Sequence, residues 1–274
     1  MGLLAHLLPG VVLALAVILI GFTKSGFGSG AGLLVVPMAA MAGAHLPGLG
    51  ESGALGMLLP LLILGDLIAV GQFFRTVSRR HVIGLLPGTV IGVTAAAFFL
   101  RWMHNQTAGL SSGLIRTEIG IESLLLVSLS WWRAMRGAPP VVKEAGVLQT
   151  HLTGGFSGVS STLAHAAGPI VALYLLPRGL DRRHFVGTSA AYFMIVNAIK
   201  VPGYVAAGIL HAGLFQGVAM AAPLVVGGAI AGRWLNNRIS DKAFSRAVLI
   251  ATFVSGIYLL GDGGLLLSKW YLAR

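Results

Sequence analysis

Six stretches of this chain, 52–74, 82–103, 109–132, 186–209, 213–235 and 243–268, are each long and apolar enough to cross a lipid bilayer. A helix needs about 20 predominantly apolar residues to span roughly 30 Å of hydrocarbon. No soluble core of 274 residues accommodates so much continuous apolar length, so the runs predict an all-α integral membrane protein and exclude an ordinary soluble enzyme. The composition agrees: 10% of residues are charged, where a soluble domain carries about 25%. The first twenty residues are apolar without a basic leader, which predicts a first membrane segment rather than a signal peptide.

Three further apolar stretches are interrupted. Residues 3–21 run into Gly21-Phe22-Thr23-Lys24-Ser25-Gly26-Phe27-Gly28-Ser29-Gly30-Ala31-Gly32, and a short apolar piece, 33–44, follows. Residues 147–158 run into Val159-Ser160-Ser161-Thr162-Leu163-Ala164-His165-Ala166-Ala167-Gly168-Pro169, and 170–177 follow. Both regions read as broken helices or hairpins. Irregular backbone at membrane depth persists only where protein or a wet cavity satisfies its polar groups.

The two interruptions mark an internal repeat. Gly21-Phe22 answers Gly155-Phe156, Pro37 answers Pro169, Gly56 answers Gly187 and Asp66 answers Asn197, at a separation that stays near 131–134 residues. Pro87 answers Pro223 after a small insertion. The expected organisation is a first membrane repeat over 1–135, a cytoplasmic linker over 136–146 and a second repeat over 147–274. Each repeat is a broken helix or hairpin followed by three transmembrane helices.

The net charge of +11 does not point to nucleic acid, because the basic residues are scattered through short loops rather than gathered on one face. Thirteen of the 19 fall in loops 75–81, 133–145, 178–184 and 233–246, which the positive-inside rule assigns to the cytoplasm. Loops 45–51 and 210–212 hold none. The span after the first hairpin therefore enters from outside and its counterpart from inside, so the repeats have opposite topology. Inverted repeats with discontinuous helices characterise secondary transporters, whose site lies where the breaks meet.

Arg101, Arg116, Lys269 and Arg274 form the opposite set, and two basic residues remain, Lys24 and Lys200, both within apolar stretches. A mid-membrane lysine costs roughly 2.5–3.5 kcal/mol on insertion scales unless it faces a wet cavity, pairs or snorkels. Lys24 reads either as an interfacial lysine at a helix end or as a charge for an anion. Lys200 reads as a partner of Glu118 or Glu122, as a snorkelling residue, or again as an anion ligand. The breaks favour the anion: glycine frees backbone N–H groups, helix N-termini carry partial positive charge, and Ser25, Gly28, Ser29, Ser160, Ser161 and Thr162 add donors. The competing reading of these small residues is tight helix packing. Asp66 takes up a proton or pairs with Lys24, and Asn197 bonds the ligand or a broken-helix carbonyl. Glu118, Glu122 and His165 are further candidates for proton coupling. The preferred simpler reading of the two glutamates places them at the outer mouth, balancing Arg116.

Soluble-enzyme motifs carry less. Gly26-Phe27-Gly28-Ser29-Gly30-Ala31 fits a dinucleotide fingerprint, but no strand precedes it. Gly155-Phe156-Ser157-Gly158 has the shape found around the serine of rhomboid intramembrane proteases, which requires a histidine base from another helix. With no cysteine there is no disulfide frame, Cys zinc site or thiol nucleophile. Neither a metal nor a cofactor is expected.

Taken in order, these motifs resemble the sulfite exporter TauE/SafE family of membrane permeases. The resemblance rests on Gly21-Phe22 through Gly32 and Pro37, on Gly155-Phe156-Ser157-Gly158 through Gly168-Pro169, on Leu176-Pro177-Arg178-Gly179-Leu180-Asp181, and on Tyr192-Phe193 through Asn197 with Lys200-Val201-Pro202-Gly203-Tyr204. It implies a multi-pass permease of the bacterial cytoplasmic membrane for sulfite or small organosulfonates. Its partners are then a small anion and the lipid bilayer, with a homodimer as one assembly. At the second break Ser160-Ser161-Thr162-Leu163-Ala164-His165 stands where the family is often more glycine-rich, so the resemblance leaves the substrate open. The rival readings are an anion channel with a fixed filter and an intramembrane hydrolase using Ser157.

Overall fold

The structure is a computed structural model that describes residues 2–24, 32–137, 144–235 and 241–273. Among the described residues every regular element is helical. In chain order they are α1 (Gly2–Lys24), α2 (Gly32–Gly43), α3 (Gly50–Phe73), α4 (Arg79–His104), α5 (Ala108–Arg136), α6 (Val147–Ala164), α7 (Gly168–Leu175), α8 (Arg182–Ala206), α9 (Phe215–Leu235) and α10 (Asp241–Leu272). Three single 3-10 turns follow α3, follow α7 and precede α9. The order is a pair of helices and then three long ones, twice over.

Six helices are long and apolar enough to cross a membrane, through Leu7–Lys24, Gly50–Thr76, Arg79–His104, Arg182–Ala206, Ala212–Trp234 and Ser245–Leu272. The 24 residues of α3 rise about 36 Å at roughly 1.5 Å each, enough for the hydrocarbon layer. This set differs from the sequence reading at one place. The run 109–132 does form a helix, α5, of 29 residues, but Arg116, Glu118 and Glu122 make it less apolar than the others; α1, expected as the first membrane segment, is among the six. Large apolar side chains such as Ile83, Ile91 and Phe98 on α4, and Met220 and Ile230 on α9, point outward. In water such faces would be a liability; against lipid tails they are the expected surface.

Glycine sets the closest helix approaches. Gly88 and Gly92 on α4 face Gly154 and Gly158 on α6, and a methyl group added to Gly88, Gly92 or Gly154 would run into a backbone carbonyl of the other helix, those of His151, Gly155 and Leu85 respectively. The crossing of α1 and α9 is built the same way, with Gly21 against the Val225 carbonyl and Gly228 against that of Ile18. Helices in lipid gain no hydrophobic drive from associating, so small residues four apart that admit close van der Waals contact do that work instead. The other principal pairings join α5 to α10, α3 to α8 and α1 to α2. Helix α3 thereby runs through the centre of the molecule, with Ala54, Leu55, Leu58, Leu59 and Leu61 fully buried.

Candidate functional site

The polar centre begins where α6 stops. His165 adopts left-handed backbone (φ 50°), the only described residue other than glycine with positive φ. That conformation ends the helix, and the Ala166 N–H reaches back to the Ser160 carbonyl at 3.4 Å. A non-glycine residue there costs roughly 1–2 kcal/mol, so neighbouring contacts must hold it. The His165 ring supplies them: Nδ1 lies 2.8 Å from Lys200 Nζ, and Nε2 lies 3.3 Å from the Leu55 carbonyl and 3.3 Å from the Tyr204 hydroxyl. With Lys200 donating, Nδ1 accepts and Nε2 carries the proton.

Helix α8 brings the partners. Phe193, Asn197, Lys200 and Tyr204 recur at spacings of three and four, which places them on one helical face. Lys200 is fully buried. Its Nζ donates to the Ser161 carbonyl (2.7 Å), to Ser161 Oγ (3.1 Å) and to His165 Nδ1, the full donor capacity of an ammonium. Tyr204 donates to the Thr162 carbonyl at 2.6 Å. Asn197 Nδ2 donates to Asp66 Oδ2 at 2.6 Å. The other Asp66 oxygen forms an ion pair with Lys24. Lys24 also lies 5.0 Å from the Phe193 ring centroid, a cation–π distance. Asp66 and Asn197, matched as repeat equivalents in the sequence, thus touch each other.

A cavity of about 110 Å³ opens beside these groups, well above the roughly 10–15 Å³ that one water needs. Its polar lining comes from Thr23, Lys24, Ser161, His165, Ser189 and Asn197, and Phe185, Phe193 and Leu62 are among its apolar walls. The cavity follows α8 from Asn197 down to Phe185, close to the helix start at Arg182, and reaches Ala69 near the end of α3. Ser189 Oγ is buried without a hydrogen-bond partner, leaving a hydroxyl to offer to an occupant.

The structure thus brings Lys24, Asp66, Ser161, His165, Asn197 and Lys200 together around one space. Lys200 stands one layer behind the wall, through Ser161 and His165. Ser160 and Thr162 are buried in α6, where Thr162 Oγ1 bonds the Gly158 carbonyl at 2.7 Å. Ser25, Gly28 and Ser29, with the fingerprint-like segment 26–31, lie outside the described residues. The glutamates need a correction. Arg116 is held by Glu51 (2.7 Å from Nε) and by Asp262, not by Glu118 and Glu122. Those two sit with their carboxyl oxygens buried, and both Glu122 oxygens and one of Glu118 lack a partner of hydrogen-bond geometry. Ser157, the hydrolase candidate, bonds the Gly154 carbonyl (3.0 Å) and the Tyr192 hydroxyl, and no histidine among the described residues bonds to it. Among the described residues no group of three His, Asp or Glu gathers to hold a metal ion.

The sequence reading passed over Tyr204, Phe193 and Ser189 as site groups. The three-and-four spacing with Asn197 and Lys200 is the signal that exposes the two aromatics. Ser189 continues that row by another four residues toward the helix start.

A membrane bundle in which a helix break and buried lysines border a small, partly polar cavity belongs, as a class, with membrane transport proteins. The sequence model of the family described as Sulfite exporter TauE/SafE matches residues 13–259, nearly the whole chain, and this protein belongs to that family. It is also 24% identical over 218 residues to the probable inner membrane transporter protein TsaS of Comamonas testosteroni, an alignment covering 79% of this chain and 87% of that relative. No solved structure matches the chain.

Proposed function

We propose that this protein is a secondary transporter for a small sulfur-containing oxyanion, sulfite or an organosulfonate, in the bacterial cytoplasmic membrane. It carries the anion rather than chemically altering it. The observation that carries the reading is the charge balance of the cavity wall. Lys24 is offset by Asp66, whereas Lys200 is bound only to neutral acceptors, so an ammonium one layer behind the cavity wall is left without a bonded carboxylate. A small anion supplies the missing charge, and the family and its TsaS relative support a transport role.

Two repeats of opposite topology, over 1–135 and 147–274, give the alternating motion. Their support is the contact of the equivalent residues Asp66 and Asn197, which two-fold-related helices make where they cross the axis. The paired glycine crossings of α4 with α6 and of α1 with α9 support it too. With loops 75–81 and 178–184 cytoplasmic, the cavity faces the cytoplasm, and rocking one half against the other would expose it outside. For each net negative charge that crosses, an inside-negative potential assists efflux by about 2.3 kcal/mol per 100 mV.

The test is counterflow of labelled sulfite and labelled alkylsulfonate in proteoliposomes. Saturable counterflow that Lys200→Met reduces at least tenfold is the expected result. Flux without counterflow would indicate a channel, and no flux of any sulfur oxyanion would refute the reading.

A further inference from the structure

The transport reading leaves one buried cluster without a task. Glu118 and Glu122 stand four residues apart on one face of α5. Three of their four carboxyl oxygens are shielded from solvent without a hydrogen-bond partner, and so is Ser160 Oγ on α6. Ser160 is 6% exposed and interacts with Glu122. Buried polar atoms nearly always find partners, and two adjacent carboxylates cannot both remain ionised away from water. Three inward-facing carboxyl oxygens beside a single neighbouring hydroxyl need an electrophilic guest, and a proton is the smallest.

The surroundings decide what the guest does. From α8, Lys200 and Tyr204 are the charged and titratable groups in the field of the glutamates. From the end of α6 come Ser160 and, one layer on, His165. Asp66 of α3 is engaged by Lys24 and Asn197. Glu51 of α3 and Asp262 of α10 are both bound to Arg116. Arg101 and His104 of α4 bond the Ala206 carbonyl and Ser52, and α2 carries no titratable residue. Tyr174 of α7 lies 3.4 Å from Thr150. Among the described residues Lys200 is thus the cation in the field of the glutamates, and its bonds to Ser161 and His165 connect it to the cavity wall.

We propose that Glu118 and Glu122 form a proton-binding site that loads together with the anion, so that anion and proton cross the membrane in the same direction. When both carboxyls are neutral, the charge of Lys200 is left for the anion. When one proton leaves, an O–H bond breaks, the proton passes to water, and the new carboxylate neutralises Lys200 and weakens the anion's hold. Each guest therefore raises the affinity for the other, the reciprocity that linkage demands.

The inference rests on the transport reading, and one set of measurements separates the two. The full chain is reconstituted in liposomes with the membrane potential clamped, and accumulation of whichever labelled anion shows counterflow is followed under an imposed pH gradient. An alkylsulfonate is preferred because its own charge does not change over the range. One proton per anion makes the accumulation ratio change about tenfold per pH unit. The Glu118→Gln/Glu122→Gln variant, a permanent copy of the loaded state, keeps counterflow within about threefold of wild type and loses the dependence on the gradient. Full dependence in that variant, no dependence in wild type, or accumulation that follows a sodium gradient at fixed pH would each overturn the proposal.

If the double variant does not insert, the single variants carry the same comparison. If wild type shows no counterflow at all, the transport reading fails, and infrared spectroscopy then decides on the proton site alone. A buried protonated-carboxyl band at neutral pH that disappears in a glutamine variant supports it, and absence of that band in wild type refutes it.

Discussion

The two buried lysines look alike in the sequence, each alone in an apolar stretch beside a helix break, yet the structure gives them opposite electrostatic surroundings. Lys24 is partly exposed to the cavity and shares an ion pair with Asp66, which Asn197 braces from the other side. Lys200 is fully buried and spends its three donors on a carbonyl, a hydroxyl and an imidazole, none of them charged. The first arrangement is a neutral strut that ties α1, α3 and α8 together. The second holds an ammonium beside the cavity with no carboxylate bonded to it. Mid-membrane lysines are thus not one category, and the identity of the acceptors separates a structural ion pair from a charge available to a ligand.

The largest expected effect tests the strut. Lys24→Met leaves Asp66 buried opposite no cation, and breaking one partner from such a pair costs about 3–5 kcal/mol. Adding Asp66→Asn removes the stranded charge, so thermal denaturation in detergent should show most of the lost stability return in the double variant. No recovery would mean that Lys24 stabilises through packing and not through the pair.

Lys200→Met should be milder for folding and harsher for transport. It strips donors from Ser161 and His165, neutral groups whose loss of a charged hydrogen bond is worth about 1.5–3 kcal/mol, while no buried carboxylate is bonded to it. Counterflow rates and melting temperature measured on the same preparations sharpen the contrast. A variant that loses stability as severely as Lys24→Met but transports normally would reverse the assignment.

How much of this was legible beforehand depended on the range of the interaction. The order of two helices and then three, repeated, follows from apolar length and from local interruptions, so the sequence displays it directly. Asp66 and Lys24 were recognisable as companions because few charges occur in the apolar stretches. Arg116 was assigned wrongly for a geometric reason: Glu118 and Glu122 lie two and six residues from it, and only positions three or four away share its face. Its partners, Glu51 and Asp262, come from other helices, α3 and α10, and no local pattern announces them. The same holds for the burial of the glutamate pair, which depends on how α5 seats against its neighbours.

Smaller effects probe the second break more finely. Tyr204→Phe removes the hydroxyl that donates to the Thr162 carbonyl and should cost about 1 kcal/mol of stability, with the pH dependence of transport altered less than by the glutamate changes. Smallest of all is an effect at the start of α8. Asp181 accepts the His184 backbone N–H at 2.8 Å, and that bond, with the His184 ring beside it, holds its carboxyl below the usual aspartate value. Its contribution is therefore fully present at neutral pH and fades as the pH falls through that lowered value. Asp181→Asn should flatten only the acid end of the stability curve; a change confined to neutral pH would contradict this assignment.

The central claim is that Lys200 holds the charge an anion answers and that Lys24 does not. Ligand-induced thermal stabilisation reads this directly, since a ligand that binds the folded form stabilises it by RT ln(1 + L/Kd) at free ligand concentration L. Wild type and the Lys24→Met/Asp66→Asn variant should both be stabilised by sulfite or an alkylsulfonate, and Lys200→Met should not. Undiminished stabilisation of Lys200→Met, with loss in the Lys24→Met/Asp66→Asn variant, would contradict the account.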